Sequence, residues 1–395
     1  CAILAKDDNK AFLKAAKTYL ASKRCLFAAL FEENKKLHMK DRLSLKDLWE
    51  LATKFDILKR LNEPALVWSQ PKSSGNGFRT VTSFGPVARA AQHMVIKVLR
   101  TTYKPQAFQF AHLSFSQKVE LAITSIKEKG YKHVIEFDIE SFFPSFTEEA
   151  LLKTLPLPKE AIRQIVLSGG ANWRAHPRYT QYGHISSPSG LPQGSASSAV
   201  VADWCIANMP LKTCKSSIVI NHADNFFAFA ATAEDAKDVA KALSSGLTGA
   251  PGGEFNGKLK QKAIVEDGFS MLGCHVQLQK NGECSVWPTE ANLDKFHDKC
   301  EELEERVRTK LKIAEQSKSK LSRLKGLQEF LRLESLHQGW LQAFGFCGPD
   351  IEIVFRYHCE YYRNDIRATF CIRDFELKPL RDASTKVTYK WYSGS

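Results

Sequence analysis

The stretch Ile218-Val219-Ile220-Asn221-His222-Ala223-Asp224-Asn225-Phe226-Phe227-Ala228-Phe229 decides how the rest of the chain is read. β-branched and aromatic residues flank a polar tip, the pattern of a strand, a tight turn and a returning strand. The tip carries one carboxylate, Asp224, and one carboxamide, Asn225. A carboxylate at the tip of a rigid hairpin is suited to holding a divalent ion. An Asp-Asn pair between strands is also an ordinary turn, so the surrounding sequence has to decide.

A second acidic strand lies upstream, in Val134-Ile135-Glu136-Phe137-Asp138-Ile139-Glu140-Ser141-Phe142-Phe143. An ionised Asp in an apolar strand is costly unless it is paired or metal-bound, so Asp138 is either a salt-bridged strand-end residue or a ligand. Ser145 and Glu148 predict a helix cap before Leu151 and Leu152. Residues 168–198 turn to loop composition, with Gly169, Gly170, Gly183 and the run Ser186-Ser187-Pro188-Ser189-Gly190. They lead into Leu191-Pro192-Gln193-Gly194-Ser195, which opens a helix of small and apolar residues reaching about Met209. Small side chains let backbone approach a flat ligand closely.

Outward from this centre the chain is helical at both ends. Residues 1–63 read as helices, including an amphipathic one from Ala11 to Phe31 rather than a signal peptide. Ser44-Leu45-Lys46-Asp47 resembles a capping box before Leu48, Leu51, Phe55 and Leu58, and Pro64 closes the segment. Two extended pieces follow, Trp68 to Lys72 and Phe78 to Val81, around the tip Ser73-Ser74-Gly75-Asn76. Lys72 and Arg79 are placed to clamp phosphate oxygens or to be solvated cations of an exposed hairpin. Helical spacing returns from Val87 to Leu99. Thr232 and Asp235 cap a helix through Leu243 that ends near Gly246. Lys258, Lys260 and Lys262 follow a Gly-rich loop. Gly268 to Val276 reads as a strand that returns near Ser285-Val286-Trp287. After Pro288, Leu293, Phe296, Cys300, Leu303, Val307 and Leu311 keep helical spacing. Arg306 to Lys325 holds eight Lys/Arg and one acid, Glu315, either a solvated face or a track for a nucleic-acid backbone.

Composition bounds the answer. At 395 residues with 44% hydrophobic and 25% charged residues, the chain has an ordinary globular composition and room for two or three domain-sized pieces. Its net charge of +13 favours a polyanionic partner. The ten cysteines show no CxxC pair and no paired Cys/His spacing. They read as reduced thiols of a cytoplasmic type of compartment rather than disulfides or a zinc site, with His358-Cys359 an isolated structural pair. No run of 18 apolar residues exists, so no transmembrane helix is expected. The chain begins at Cys1 without Met, and an upstream part is expected.

Three stretches resemble, in order, the palm of reverse transcriptases. Phe137-Asp138-Ile139-Glu140-Ser141-Phe142-Phe143 looks like the first palm motif, Leu191-Pro192-Gln193-Gly194 like the second, and His222-Ala223-Asp224-Asn225 like the third, usually Tyr-x-Asp-Asp. Lys72 to Val81 is similar to the fingers motif, Lys262-Ala263-Ile264-Val265 to the fourth palm motif, and Gly268 to Gly273 to the strand that grips the primer. The resemblance covers roughly residues 65 to 345. It is closer to bacterial, retron or intron-type enzymes than to retroviral ones, a prokaryotic or viral context.

The resemblance implies a mixed α/β (α+β) right-hand polymerase fold. Its parts would be an N-terminal helical extension (1–63), fingers (64–133), a palm with finger insertions (134–287), a helical thumb (288–345) and a C-terminal extension without assigned role (346–395). It implies two-metal nucleotidyl transfer with Mg²⁺ or Mn²⁺, in which two ions about 3.5–4 Å apart stabilise the attacking and leaving oxygens. Asp138, Ile139 and Asp224 would form the metal set, with Asn225 in the catalytic group. Lys72 and Arg79 would hold the triphosphate and Gln193 and Gly194 would contact nucleotide and template. Lys262 would protonate the leaving pyrophosphate, although Lys258 and Lys260 are equally available by composition. Phe143 stands where the family places an aromatic that blocks a ribose 2′-hydroxyl, implying dNTP use. It would otherwise be core.

The implied partners are an RNA template, a nucleic-acid primer, dNTPs and a structured RNA, with no membrane. The activity implied is RNA-directed DNA synthesis. The alternatives are a non-catalytic palm that binds nucleic acid, and RNA synthesis or template-free DNA addition. His222 and Asn225 depart from the motif, and Asn225 removes one negative charge, so metal affinity should fall. An appended ribonuclease H domain and an intron-type endonuclease are not expected, the latter because no Cys/His ligand cluster is visible at the C-terminal end.

Overall fold

The computed structural model describes residues 9–37, 39–72, 77–177, 188–211 and 216–380. The tip Ser73-Ser74-Gly75-Asn76, and Gly183, Ser186 and Ser187 of the second loop, lie outside the described residues.

Three helices open the described chain: α1 (Asn9–Ala21), α2 (Lys23–Lys35) and α3 (Leu45–Lys54). The single helix expected from Ala11 to Phe31 is two, because Ser22 turns extended and its hydroxyl accepts the Cys25 N–H as the cap of α2. The capping box of Ser44 and Asp47 forms as expected. Phe55 is already extended, so α3 stops before it and Leu58 lies beyond the helix. Pro64 begins a strand. β1 (Pro64–Pro71) pairs antiparallel with β2 (Phe78–Phe84), and α4 (Pro86–Arg100) follows. The Glu63 carboxylate accepts the Val87 and Ala88 N–H groups at 3.1 and 2.7 Å, satisfying two orphan donors of the first turn of α4.

Next come α5 (Phe115–Lys129), β3 (His133–Ile139), α6 (Glu148–Thr154) and α7 (Lys159–Ala161), the last running into a π-turn at Ile162–Val166. The cap of α6 is Thr147, not Ser145, whose hydroxyl is taken by the carbonyls of Glu140 and Ser141. β4 (Asn172–Ala175) adds parallel to β1. α8 (Ala196–Ala207), capped by Ser195, leads to β5 (Ser217–His222), β6 (Asn225–Ala230), α9 (Ala233–Thr248), capped by Thr232, and β7 (Gly257–Ile264). The expected strand from Gly268 to Val276 is a hairpin of β8 (Phe269–Met271) and β9 (Cys274–Leu278). Leu272 and Gly273 both take positive φ, +49° and +81°, which reverses the chain in two residues. β10 (Cys284–Pro288) joins them. The helices α10 (Glu290–Ser317), α11 (Lys320–Phe344) and α12 (Pro349–Thr369) follow, with a further helical stretch over 374–380.

The strands β5-β6-β3-β7 form a four-stranded antiparallel sheet. Alternation along its strands divides the molecule into two cores. Ile135, Phe137, Ile139, Val219, Phe226 and Ala228 bury into one, with α1–α4, α6, α8 and α9. Val134, Ile220, Phe227 and Phe229 bury into the other, with α5, β8–β10 and α10–α12. Glu136 and Asp138 continue the Val134 face beyond the second core, leaving their carboxylates at its edge.

Candidate active site

The hairpin of β5 and β6 reverses over Ala223 and Asp224, with His222 paired to Asn225. Ala223 takes a left-handed φ of +53°. Buried Asn221 staples this turn, its Nδ2 donating to the carbonyls of Ala223 and Asn225 at 3.0 and 3.1 Å. The Asn221 carbonyl accepts the ammonium of buried Lys118 on α5 at 2.8 Å. Burial lowers the pKa of Lys118, and the carboxylate of Asp203 on α8 opposes that shift. Burial also holds His222 below the usual imidazole value, with the Lys118 charge adding to the effect. Finally, the Ile139 N–H donates to the Asp224 carbonyl at 3.0 Å. The tip is therefore fixed to the end of β3, where Asp138 stands opposite Asn225.

Three carboxylates converge. Glu136 and Asp138, two residues apart on one strand, share a face. Asp224 meets them from the hairpin, and each of the other two acids raises the pKa of Glu136 on top of the larger effect of burial. Asp224 is likewise raised, first by burial and then by Asp138, while Lys260 and Arg79 pull it back. Lys260 sits in the β3–β7 ladder where the register slips between Glu136 and Phe137. Its ammonium lies 3.0 Å from Asp138 Oδ1 and 3.9 Å from Glu136, and it donates to Asn225 Oδ1 at 3.4 Å. Asn225 Nδ2 in turn donates to Asp224 Oδ1 at 3.0 Å. Glu136 and Lys260 complete a chain of charges that the motifs did not single out. The signals were the Glu-x-Asp alternation and a lysine run whose register sequence alone does not give.

The other expected residues fall on two sides of this group. Arg79, exposed on β2, acts on Asp224 electrostatically. Lys72 is exposed at the foot of the β1–β2 loop, its N–H donating to the Gly77 carbonyl at 2.9 Å. The Gln193 carbonyl accepts both the N–H and the hydroxyl of Thr82 on β2, at 2.7 and 2.8 Å. Gly194 follows with φ +117°, and a Cβ there would stand 2.0 Å from the Thr82 carbonyl oxygen. Only glycine fits this approach. Leu191 N–H donates to the Phe143 carbonyl at 2.9 Å, so the Leu191–Gly194 stretch joins Phe143 to the β1–β2 sheet. Phe143 is half-buried, its ring 5.5 Å from that of Phe142. Lys262 is not brought to the carboxylates. It pairs with Ile135, on the face opposite Glu136 and Asp138.

The reverse transcriptase (RNA-dependent DNA polymerase) family profile matches residues 70–276. The chain belongs to the reverse transcriptase family. The matched span contains Lys72, Arg79, Asp138, Phe143, Gln193, Gly194, Asp224, Asn225 and Lys262. Its fold is a mixed α/β polymerase fold, and the family performs template-directed nucleotide polymerisation with divalent metal ions. Solved structures similar to the chain include a telomerase from Candida albicans in complex with a TWJ fragment of telomeric RNA. That similarity has 12% identity and a TM-score of 0.38, and covers 85% of this chain and 63% of that one. Another is apo telomerase from Candida tropicalis truncated from its C-terminal domain, at 12% identity and TM-score 0.37, covering 58% and 56%. The chain thus spans about three-fifths of the length of these telomerases. No curated protein matches it.

The donor set fits a hard divalent cation. Three carboxylates share a half-buried site in which burial and mutual repulsion hold Glu136 and Asp224 toward protonation, and oxygen donors of this kind suit Mg²⁺ or Mn²⁺. Ile139 can offer only its main-chain carbonyl. No helix among the described residues is long and apolar enough to cross a membrane.

Away from this site, His358 is not an isolated neighbour of Cys359. Cys300, His337 and His358 come together from three helices, although their spacing of 37 and 21 residues matches no ligand pattern.

Proposed function

We propose that this member of the family carries out RNA-directed DNA synthesis from dNTPs. The reading rests on the convergence of Asp138 and Asp224 at the hairpin tip, within the field of Arg79. Asp138, Asp224 and the Ile139 carbonyl would hold Mg²⁺ or Mn²⁺, which when bound neutralises charge on the attacking and leaving oxygens. Arg79 and Lys72 would hold the triphosphate. Gln193 and Gly194 would face nucleotide and template, with the backbone of both committed to β2, and Phe143 would exclude a 2′-hydroxyl. Lys260, closer to the carboxylates than Lys262, takes the place of Lys262 as candidate proton donor to pyrophosphate.

In this reading residues 64–133 are fingers, 134–287 palm and 288–345 thumb. The parallel pairing of β4 with β1 supports a finger insertion within the palm span. RNA template, primer and a structured RNA are the partners. The eight described cysteines, all free, support a cytoplasmic setting.

One observation favours a second reading, a palm that binds nucleic acid without catalysis. Lys260 is seated on Asp138 and bonded to Asn225, where it competes with a metal ion for the same oxygens. The deciding experiment is incorporation by the purified protein with Mg²⁺ or Mn²⁺ on primed RNA, primed DNA and no template, with dNTPs and NTPs separately. Incorporation of dNTPs on RNA, lost by at least about a thousandfold in Asp224→Ala, supports the first reading. Salt-sensitive nucleic-acid binding without incorporation supports the second.

A further inference from the structure

The bundle of α10, α11 and α12 holds a group of side chains that nucleotidyl transfer does not use. Cys300 of α10, His337 of α11 and His358 of α12 each present a ligand atom, and the three atoms lie within 4.8 Å of one another. Cys300 is 4% exposed and His337 3% exposed. His337 Nε2 and His358 Nδ1 are both shut off from solvent with no hydrogen-bond partner among the described residues. A buried polar atom without a partner needs a reason. Two of them beside a thiol, on three separate helices, share one.

We propose that Cys300, His337 and His358 form a zinc site that ties α10, α11 and α12 together. Sulfur and imidazole donors suit a borderline-soft cation and not Mg²⁺, so this site is chemically distinct from the carboxylate group on the sheet. His297 lies one turn before Cys300, with its ring centroid 5.4 Å from that of His358. It is exposed and lies outside the 4.8 Å group, so the fourth position of a tetrahedral set falls to water or to a rotated His297 ring. A cysteine with two histidines also suits copper when a methionine lies on the axis. The four methionines here, Met39, Met94, Met209 and Met271, are all outside the three helices. Zinc bond lengths place tetrahedral donor atoms about 3.5 Å apart, so the group closes on the ion by roughly one ångström.

The test uses the full chain, expressed with zinc, desalted and assayed for metal by elemental analysis, then stripped and reloaded with Co²⁺. The expected result is about one zinc per chain. The cobalt form should show the visible bands of a tetrahedral ion and a thiolate charge-transfer band. Cys300→Ser should lose that band, Cys300→Ser and His337→Gln should each bind zinc at least about tenfold more weakly, and Asp224→Ala should keep its zinc. Wild-type protein with well under one zinc per chain, or a cobalt spectrum without the thiolate band, overturns the proposal whether or not the variants fold. So does zinc retained undiminished by both Cys300→Ser and His337→Gln.

Discussion

At the scale of the residue, Asn225 sets the charge of the carboxylate site. Its amide donates to Asp224 and its oxygen accepts from Lys260, so it links the acid of the hairpin to the lysine that neutralises Asp138. An aspartate there would replace a hydrogen bond with a like-charge contact and add a metal ligand. Asn225→Asp should lower the Mg²⁺ concentration for half-maximal incorporation by about tenfold and lower the melting temperature of the metal-free protein, as read by activity titration and thermal melting. Glu136 and Asp224 bear on pH. Their folded pKa values are raised, so the folded state binds protons more tightly than the unfolded chain. That contribution to stability is fully present below the ordinary carboxylate range and is lost as pH rises through the raised values. Metal-free protein should therefore lose melting temperature as pH rises through that window, and Glu136→Gln should flatten the profile. The Asp138 and Asp224 positions were legible in the sequence because an acid in an otherwise apolar strand or at a hairpin tip stands out. Lys260 was not, because the bulge that turns it toward Asp138 is a property of two strands.

At the scale of the element, local chemistry wrote the caps and the fold placed the loops. Ser44 with Asp47, and Thr232 with Asp235, cap their helices as the residues predict, since both partners lie within one turn. Ser145 lies too early to cap: α6 begins at Glu148, and the extended Thr147 accepts the Ala150 N–H. The Leu191–Gly194 segment shows the reverse case. Its composition marks a turn, but what it holds is β2, through the Gln193 carbonyl and the close approach at Gly194. Gly194→Ala should cost about 1–3 kcal/mol of stability and should raise the KM for nucleotide more than it lowers binding of primed template. Melting curves and steady-state kinetics at fixed template check both.

At the scale of the whole molecule, the basic run from Arg306 to Lys325 divides into two groups, one ion-paired and one not. Arg306 and Lys310 pair with Glu329, which is only 3% exposed, while Arg308 pairs with Glu304 and Asp365 and Arg323 with Glu376. These four hold the bundle, and a buried acid stripped of its partners costs about 3–5 kcal/mol. Lys312, Lys318, Lys320 and Lys325 have no such pairs among the described residues, and they are the candidates for phosphate contact. Replacing those four with alanine should weaken nucleic-acid binding and reduce the slope of log K against log salt by up to about 3.6 for duplex DNA, without lowering the melting temperature. Binding measured across a salt series tests this.

The sequence by itself determined the strands around Asp138 and Asp224, the caps at Ser44 and Thr232 and the order of the polymerase motifs. Those features depend on spacing over two to four residues, which strand and helix periods convert directly into a shared face. Only the tertiary structure decided that Glu136, Asp138, Asp224, Asn225 and Lys260 form one connected group, that Gly194 lies against Thr82, and that Cys300, His337 and His358 meet. Those groups are joined by packing and strand register between segments tens of residues apart, and no local period records which lysine or histidine will face which neighbour.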